Sequence, residues 1–207
     1  MLESIDKKIV IAFNSINSIF WDYFWLFFTD KIIGLLFICL LLLFVWKKSS
    51  FKTALVVGAV VVISTVFTEL LVSLVKNAVA RPRPCSLNSD IASQLYLLSD
   101  GLFQFNLMED NVIKCEEYSF FSAHAAVSFT VATFFGRLLS RLSSTYFLVL
   151  LLWGFLVSIS RIYLGYHYPS DIIVGMLFGF GVGSLFYEMY QLSESTFFKN
   201  YRFKPKR

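Results

Sequence analysis

Two histidines occur in the 207 residues, His124 and His167, and both sit among groups suited to acid–base or nucleophilic chemistry. His167 and Asp171 lie four apart within HYPSD. Pro169 favours a first helical position, which puts Asp171 in the first turn, with its carboxylate in reach of the imidazole. A carboxylate so placed fixes the tautomer of a histidine and raises its basicity. His124 follows Ser122 in FFSAHAA, at the start of an apolar run. Lys76, Arg81 and Arg83 close a second run in KNAVARPRP, and Ser160 and Arg161 close a third. Cations gathered in a partly dry pocket repel one another unless an anion joins them. Phosphate is the fitting anion, because Arg forks and Lys match its oxygens. Helix-start N–H groups around His124 add a further anion site. The chemistry implied is phosphate binding beside an oriented imidazole.

Each residue alone has a plainer reading. A basic residue at a helix end snorkels, a helix-start Asp partners the dipole, and a lone His is commonly structural. Their placement on one side of the membrane, in a chain with almost no other charge in its apolar runs, favours a site. A zinc site of two His and one Asp is opposed by the surrounding cations, so no metal and no cofactor is expected.

The elements that must position these groups are membrane helices. The chain is 57% hydrophobic and 15% charged, against about 25% charged in soluble domains. That excludes a disordered chain, a nucleic-acid-binding tail and an ordinary cytosolic enzyme. Five stretches approach the roughly 20 apolar residues a span needs: 31–46, 53–79, 119–136, 145–160 and 171–191. Residues 9–30 are apolar but broken by Asn14, Ser15, Asn17, Ser18 and Asp22. Their aromatics suit the headgroup level, so one or two interfacial helices are expected there, a sixth span being the alternative. Glu3 and Asp6 ahead of the lysines argue against a cleavable signal. The expected fold is all-α, a polytopic transmembrane bundle of five spans with N-terminal interfacial helices. Its parts are an interfacial segment 1–30, a transmembrane domain 31–192 with an external loop 85–117, and a basic cytoplasmic tail 193–207.

Charge sets the orientation. Lys47, Lys48, Lys52, Arg137, Arg141, Lys199, Arg202, Lys204, Lys206 and Arg207 share one face if there are five spans, and that face is expected to be cytoplasmic. The opposite segment carries Asp90, Asp100, Glu109, Asp110, Glu116 and Glu117 against Lys114 alone. Cys85 and Cys115 bracket it. An oxidising compartment lets them pair, closing a loop worth about 3 kcal/mol; two free thiols are the alternative. Glu69, seven residues before Lys76, is expected to neutralise a base or pair with another helix. Gly175, Gly179 and Gly183 form a small-residue stripe for close helix packing, inside the bundle or at a dimer face.

These residues resemble the type-2 phosphatidic acid phosphatase superfamily of membrane lipid phosphatases, marked by K-x6-R-P, P-S-G-H and S-R-x5-H-x3-D. The first motif reads Lys76, Arg83 and Pro84; the third reads Ser160, Arg161, His167 and Asp171. In the second, Ser122 and His124 match, while Phe121 and Ala123 replace Pro and Gly. The resemblance covers roughly residues 53–190. It implies that His167 is the nucleophile, Asp171 its orienter and His124 the acid and base. It further implies that Lys76, Arg83, Ser122, Ala123 and Arg161 hold phosphate, with Ser160 and Pro84 in support. The family implies a bilayer-embedded lipid phosphate as substrate: undecaprenyl diphosphate, phosphatidylglycerol phosphate, phosphatidic acid or lipid A. The compact outer segment mildly favours undecaprenyl diphosphate or another bulky envelope lipid. A bacterial inner membrane with the site facing the periplasm is implied. A phosphotransferase of the same fold and a non-enzymatic anionic-lipid binder or transporter are the rival classes.

Overall fold

The computed structural model describes residues 2–97, 115, 117–196 and 203. Asp100, Glu109, Asp110, Lys114 and Glu116 of the outer segment lie outside the described residues, as do Lys199, Arg202, Lys204, Lys206 and Arg207 of the tail. Among the described residues the chain forms seven α-helices and one isolated bridge. They are α1 (Leu2–Asn14), α2 (Ile19–Thr29), α3 (Lys31–Lys48), α4 (Phe51–Val79), α5 (Ala123–Leu139), α6 (Thr145–Tyr163) and α7 (Pro169–Thr196).

Most helix starts are set by side-chain caps. Ser18 accepts from Trp21 N, Asp30 from Ile32 N and Ile33 N, Ser50 from Thr53 N and Ser122 from Ala125 N. By length and composition α4, α6 and α7 can each cross a membrane; the mean hydropathy of α4 reaches 2.4. α2 and α3, bent by 53° at Asp30, qualify together as a fourth. Residues 2–29 therefore divide into two helices, the second running into the next span. The protein is an integral membrane helical bundle. The tail boundary expected at 193 falls inside α7, whose Glu194 accepts from Arg141 Nη1 at 3.0 Å and from Phe203 N at 2.9 Å.

The third apolar run differs from expectation. A helix was expected from 119, but α5 begins at Ala123 and has 17 residues. Residues 117–119 instead lie against the chain that follows α4, where Pro82 bridges Tyr118. At 1.5 Å per residue α5 is about 25 Å long, short of a hydrocarbon core of about 30 Å. It tolerates this because α4, α6 and α7 surround it and it is buried along most of its length.

α5 and α7 pack backbone to backbone. A Cβ built at Gly175 would stand 2.8 Å from the Ser122 carbonyl, and one at Gly183 would stand 2.5 Å from that of Thr130. At Gly179 the Ala126 carbonyl is closer still. The stripe is internal packing, and it brings the start of α5 against the start of α7. Gly181 on the other face meets nothing. Gly179→Ala is expected to destabilise the bundle by about 1–3 kcal/mol through overpacking, whereas Gly181→Ala is expected to be neutral. Thermal unfolding in detergent distinguishes them, and equal melting points would refute the packing argument.

Candidate active site

The turn joining α6 to α7 carries His167. α6 ends at Tyr163, and Gly165 takes φ 72°, a left-handed conformation that glycine adopts freely. The chain then folds back so that Tyr166 N and His167 N donate to the Arg161 carbonyl at 3.0 and 3.2 Å. This caps an otherwise unpaired carbonyl of the last helical turn. The spacing from Arg161 to His167 is thus the length of a helix-capping turn, and Asp171 follows in the first turn of α7.

A second backbone device brings in the chain after α4. Ala80 ends that helix in the left-handed region at φ 49°. Residues 81–83 then run antiparallel to 117–119: Ser119 N donates to Arg81 O at 2.7 Å and Arg83 N to Glu117 O at 3.4 Å. Cys85 and Cys115 fall further along the same register and form a disulfide with Cα atoms 6.0 Å apart. Pro84 is buried beside it.

Asp171 is fully buried. Its Oδ1 accepts from Arg81 Nη1 at 2.8 Å, and its Oδ2 accepts from Tyr168 N at 2.9 Å and from the Ser119 hydroxyl. His167 Nδ1 is 3.7 Å from Oδ2, beyond hydrogen-bond distance, but 3.3 Å from Ser119 Oγ. Ser119 gives its one proton to Asp171, so its oxygen is left to accept from His167 Nδ1–H. The carboxylate thus acts on the imidazole through a serine hydroxyl, and the lone pair lies on Nε2. Burial first, and then the charges of Arg83, Arg161 and Lys76, hold His167 well below the ordinary histidine range. The imidazole is neutral.

A cavity of about 480 Å³ opens beside it, lined by Lys76, Arg83, Ala123, His124, Arg161 and His167 among others. Arg83 and Arg161 are both buried and both face the Tyr166 ring, at 5.8 and 4.4 Å from its centroid. Arg83 Nε also donates to Tyr118 O at 3.0 Å, and Arg161 Nη1 to Thr29 Oγ1 at 2.5 Å. Phe28, Leu35, Ile38 and Trp153 give the cavity an apolar wall. Glu69 and Lys31 also line it, and among the described residues neither has an ion-pair partner, so Glu69 does not neutralise a base as expected. Ala123 opens α5, where backbone N–H groups have no partner within the helix.

Two expected members lie behind the cavity wall. Ser122 caps α5, and its N–H donates to Asp171 O at 3.2 Å. Ser160 Oγ bonds Val157 O within its own helix at 2.7 Å. Ser119, Asp6 and Tyr166 were not singled out by their sequence context. Asp6 stood out only as an acid ahead of two lysines.

Two measurements test this geometry. Alkylation of the denatured protein without reductant is expected to label Cys39 alone among the three cysteines; label at Cys85 or Cys115 would rule out the bridge. Histidine ¹⁵N spectra are expected to show His167 neutral, protonated at Nδ1, down to about pH 6, below an unperturbed value of about 6.5. A charged His167 at that pH would contradict the electrostatic picture.

Comparison with known proteins agrees with the geometry. The PAP2 superfamily model matches residues 54–195. A lipid A 4′-phosphatase of Bacteroides thetaiotaomicron is 33% identical over 90% of this chain and 77% of its own. A Porphyromonas gingivalis protein of the same name is 26% identical over 92% and 75%, and a Rhizobium etli lipid A 1-phosphatase is 30% identical over 59% and 46%. In fold, the crystal structure of Aquifex aeolicus LpxE superposes with a TM-score of 0.58 at 23% identity, covering 89% of this chain and 95% of that one. A PAP2-type phosphatidylglycerolphosphate phosphatase from Bacillus subtilis superposes at 0.67 and 17% identity, covering 94% and 88%. With the motif residues gathered at one end of the bundle and the family model spanning most of the chain, the protein belongs to the PAP2 superfamily, as a membrane-embedded phosphatase.

Proposed function

We propose that the protein removes a phosphate from the sugar headgroup of lipid A, at the periplasmic face of a bacterial inner membrane, through a phosphohistidine intermediate. The observation that carries the reaction is the cavity where a neutral, buried His167 meets Lys76, Arg83 and Arg161. The names of the relatives support the substrate and move the choice away from undecaprenyl diphosphate. The 4′ position is favoured, because the two relatives so named align over 90% and 92% of this chain and the 1-phosphatase over 59%.

In the first step the Nε2 lone pair of His167 attacks phosphorus in line with the bond to the sugar oxygen. The N–P bond forms, the P–O bond breaks, and His124, protonated once the phosphate is bound beside it, gives its proton to the departing oxygen. Neutral His124 then takes a proton from water. The water oxygen attacks phosphorus, the N–P bond breaks, and phosphate leaves with His167 neutral again. Lys76, Arg83, Arg161 and the first N–H groups of α5 hold the non-bridging oxygens, and Ser122 supports them through its cap. Asp171, acting through Ser119, keeps Nδ1 protonated and Nε2 aimed at phosphorus. Positioning and electrostatics carry most of such catalysis.

The apolar wall suits a substrate whose acyl chains stay in the bilayer. Lys47, Lys48, Lys52, Arg137 and Arg141 lie at the α3–α4 and α5–α6 ends of the bundle, away from the cavity, in keeping with five spans and a cytoplasmic location for that end.

The test is phosphate release by purified protein, in chelator, from lipid A, undecaprenyl diphosphate, phosphatidylglycerol phosphate and phosphatidic acid. Lipid A is expected to be the preferred substrate, with mass spectrometry showing loss of the 4′ phosphate. His167→Ala is expected to lower kcat by about a thousandfold or more, and His124→Ala by roughly 10²–10⁴. Full activity in His167→Ala would defeat the mechanism. Transfer to an alcohol with little free phosphate would indicate the phosphotransferase instead.

A further inference from the structure

The family model begins at residue 54, yet α1 closes on the turn that carries His167. We infer that Asp6 and Arg81 are positioning residues for the reaction, and that α1 is a strap holding the His167–Asp171 turn in its reactive geometry. The inference rests on the roles proposed above for His167 and Asp171.

Asp6, Val10 and Asn14 recur every fourth residue, share one helix face and are the buried residues of α1. Asn14 grips the chain before His167: its Nδ2 donates to Tyr163 O at 2.7 Å and to Tyr96 O at 2.8 Å, and its Oδ1 accepts from Tyr96 N at 2.7 Å. Val10 packs with Ile162, Tyr168 and Ile172. Asp6 grips the chain after His167, accepting from Ser170 N at 3.1 Å and from Ser170 Oγ at 2.5 Å. One helix face therefore holds both sides of the turn.

Asp6 also aims Arg81. Nη2 of Arg81 donates to Asp6 Oδ2 at 2.8 Å, while Nη1 donates to Asp171 Oδ1 at 2.8 Å and to Ser170 Oγ at 2.8 Å. The guanidinium lies 4.0 Å over the Tyr168 ring. A rigid fork spanning two buried carboxylates fixes the angle between them. That angle sets where Asp171 Oδ2 meets Ser119, and so how the His167 ring is turned. Neither Asp6 nor Arg81 lines the cavity. Their loss is therefore expected in the chemical step rather than in substrate binding.

The test uses the full-length protein, with lipid A and phosphatidic acid as substrates and His167→Ala as the reference. Asp6→Ala is expected to lower kcat roughly 10- to 100-fold, as misplacement of a reacting group does, with KM changed less than about twofold. Arg81→Ala is expected to lose at least as much. Asp6→Asn keeps an oxygen acceptor but not the charge, and a loss of about threefold is expected. Because Asp6 acts partly through Arg81 and partly on Ser170 directly, the double variant Asp6→Ala/Arg81→Ala is expected to lose less than the product of the two single losses. Wild-type kcat in Asp6→Ala beside an inactive His167→Ala would overturn the strap alone. So would losses that multiply in the double variant, or a loss confined to KM. If Asp6→Ala lacks a thermal transition, Asp6→Asn decides, and wild-type kcat there overturns the proposal. Full activity in His167→Ala would sink the underlying mechanism and the strap with it.

Discussion

Asp171 is completely buried at the head of a membrane helix, where an ionised carboxylate is costly unless its oxygens are satisfied. Arg81 supplies one partner, and Ser119 with the Tyr168 N–H supplies two more. Its backbone carbonyl accepts from Ser122 N. These partners come from the chain after α4, the chain before α5 and the α6–α7 turn. Satisfying one carboxylate therefore requires all three segments in one arrangement, and that arrangement brings the motif residues together.

The cations pose the opposite problem. Arg83 and Arg161 are buried, flank one tyrosine ring and stand with Lys76 beside a neutral imidazole. Their mutual repulsion is relieved when an anion enters, so the cavity favours an anion before any specific contact is counted. The same field disfavours a charged His167, which keeps its Nε2 lone pair available. Binding and activation thus share one electrostatic cause. The close α5–α7 packing supports both, because it sets the Ser122 cap against Asp171 and turns the first turn of α5 into the cavity.

Much of the site was legible because its spacings are local. Arg161 and His167 are joined by a capping turn, and His167 and Asp171 by the start of a helix. Lys76 and Arg83 straddle the end of α4, where Ala80 reverses the chain. Ser119 was not legible. It falls in an apolar stretch, YSFFSAH, that reads as the beginning of a span, yet its backbone pairs with Arg81 across a long loop. Asp6 was not legible either, because nothing near it in sequence indicates that a guanidinium 75 positions away needs a second carboxylate. For Glu69 the sequence suggests neutralising a base or pairing with another helix, whereas it lines the cavity without an ion pair among the described residues.

The sequence by itself determined the membrane setting, the helical class and the identity of the cations, histidines and aspartate that converge. Those follow from hydropathy and from helix periodicity, which act over a few residues. Tertiary structure alone decided how the imidazole is oriented. The serine between His167 and Asp171, the arginine behind that aspartate and the N-terminal helix behind that arginine come from distant parts of the chain. Buried polar groups must find hydrogen-bond partners wherever the packed backbone brings them, and that requirement leaves no local pattern to read.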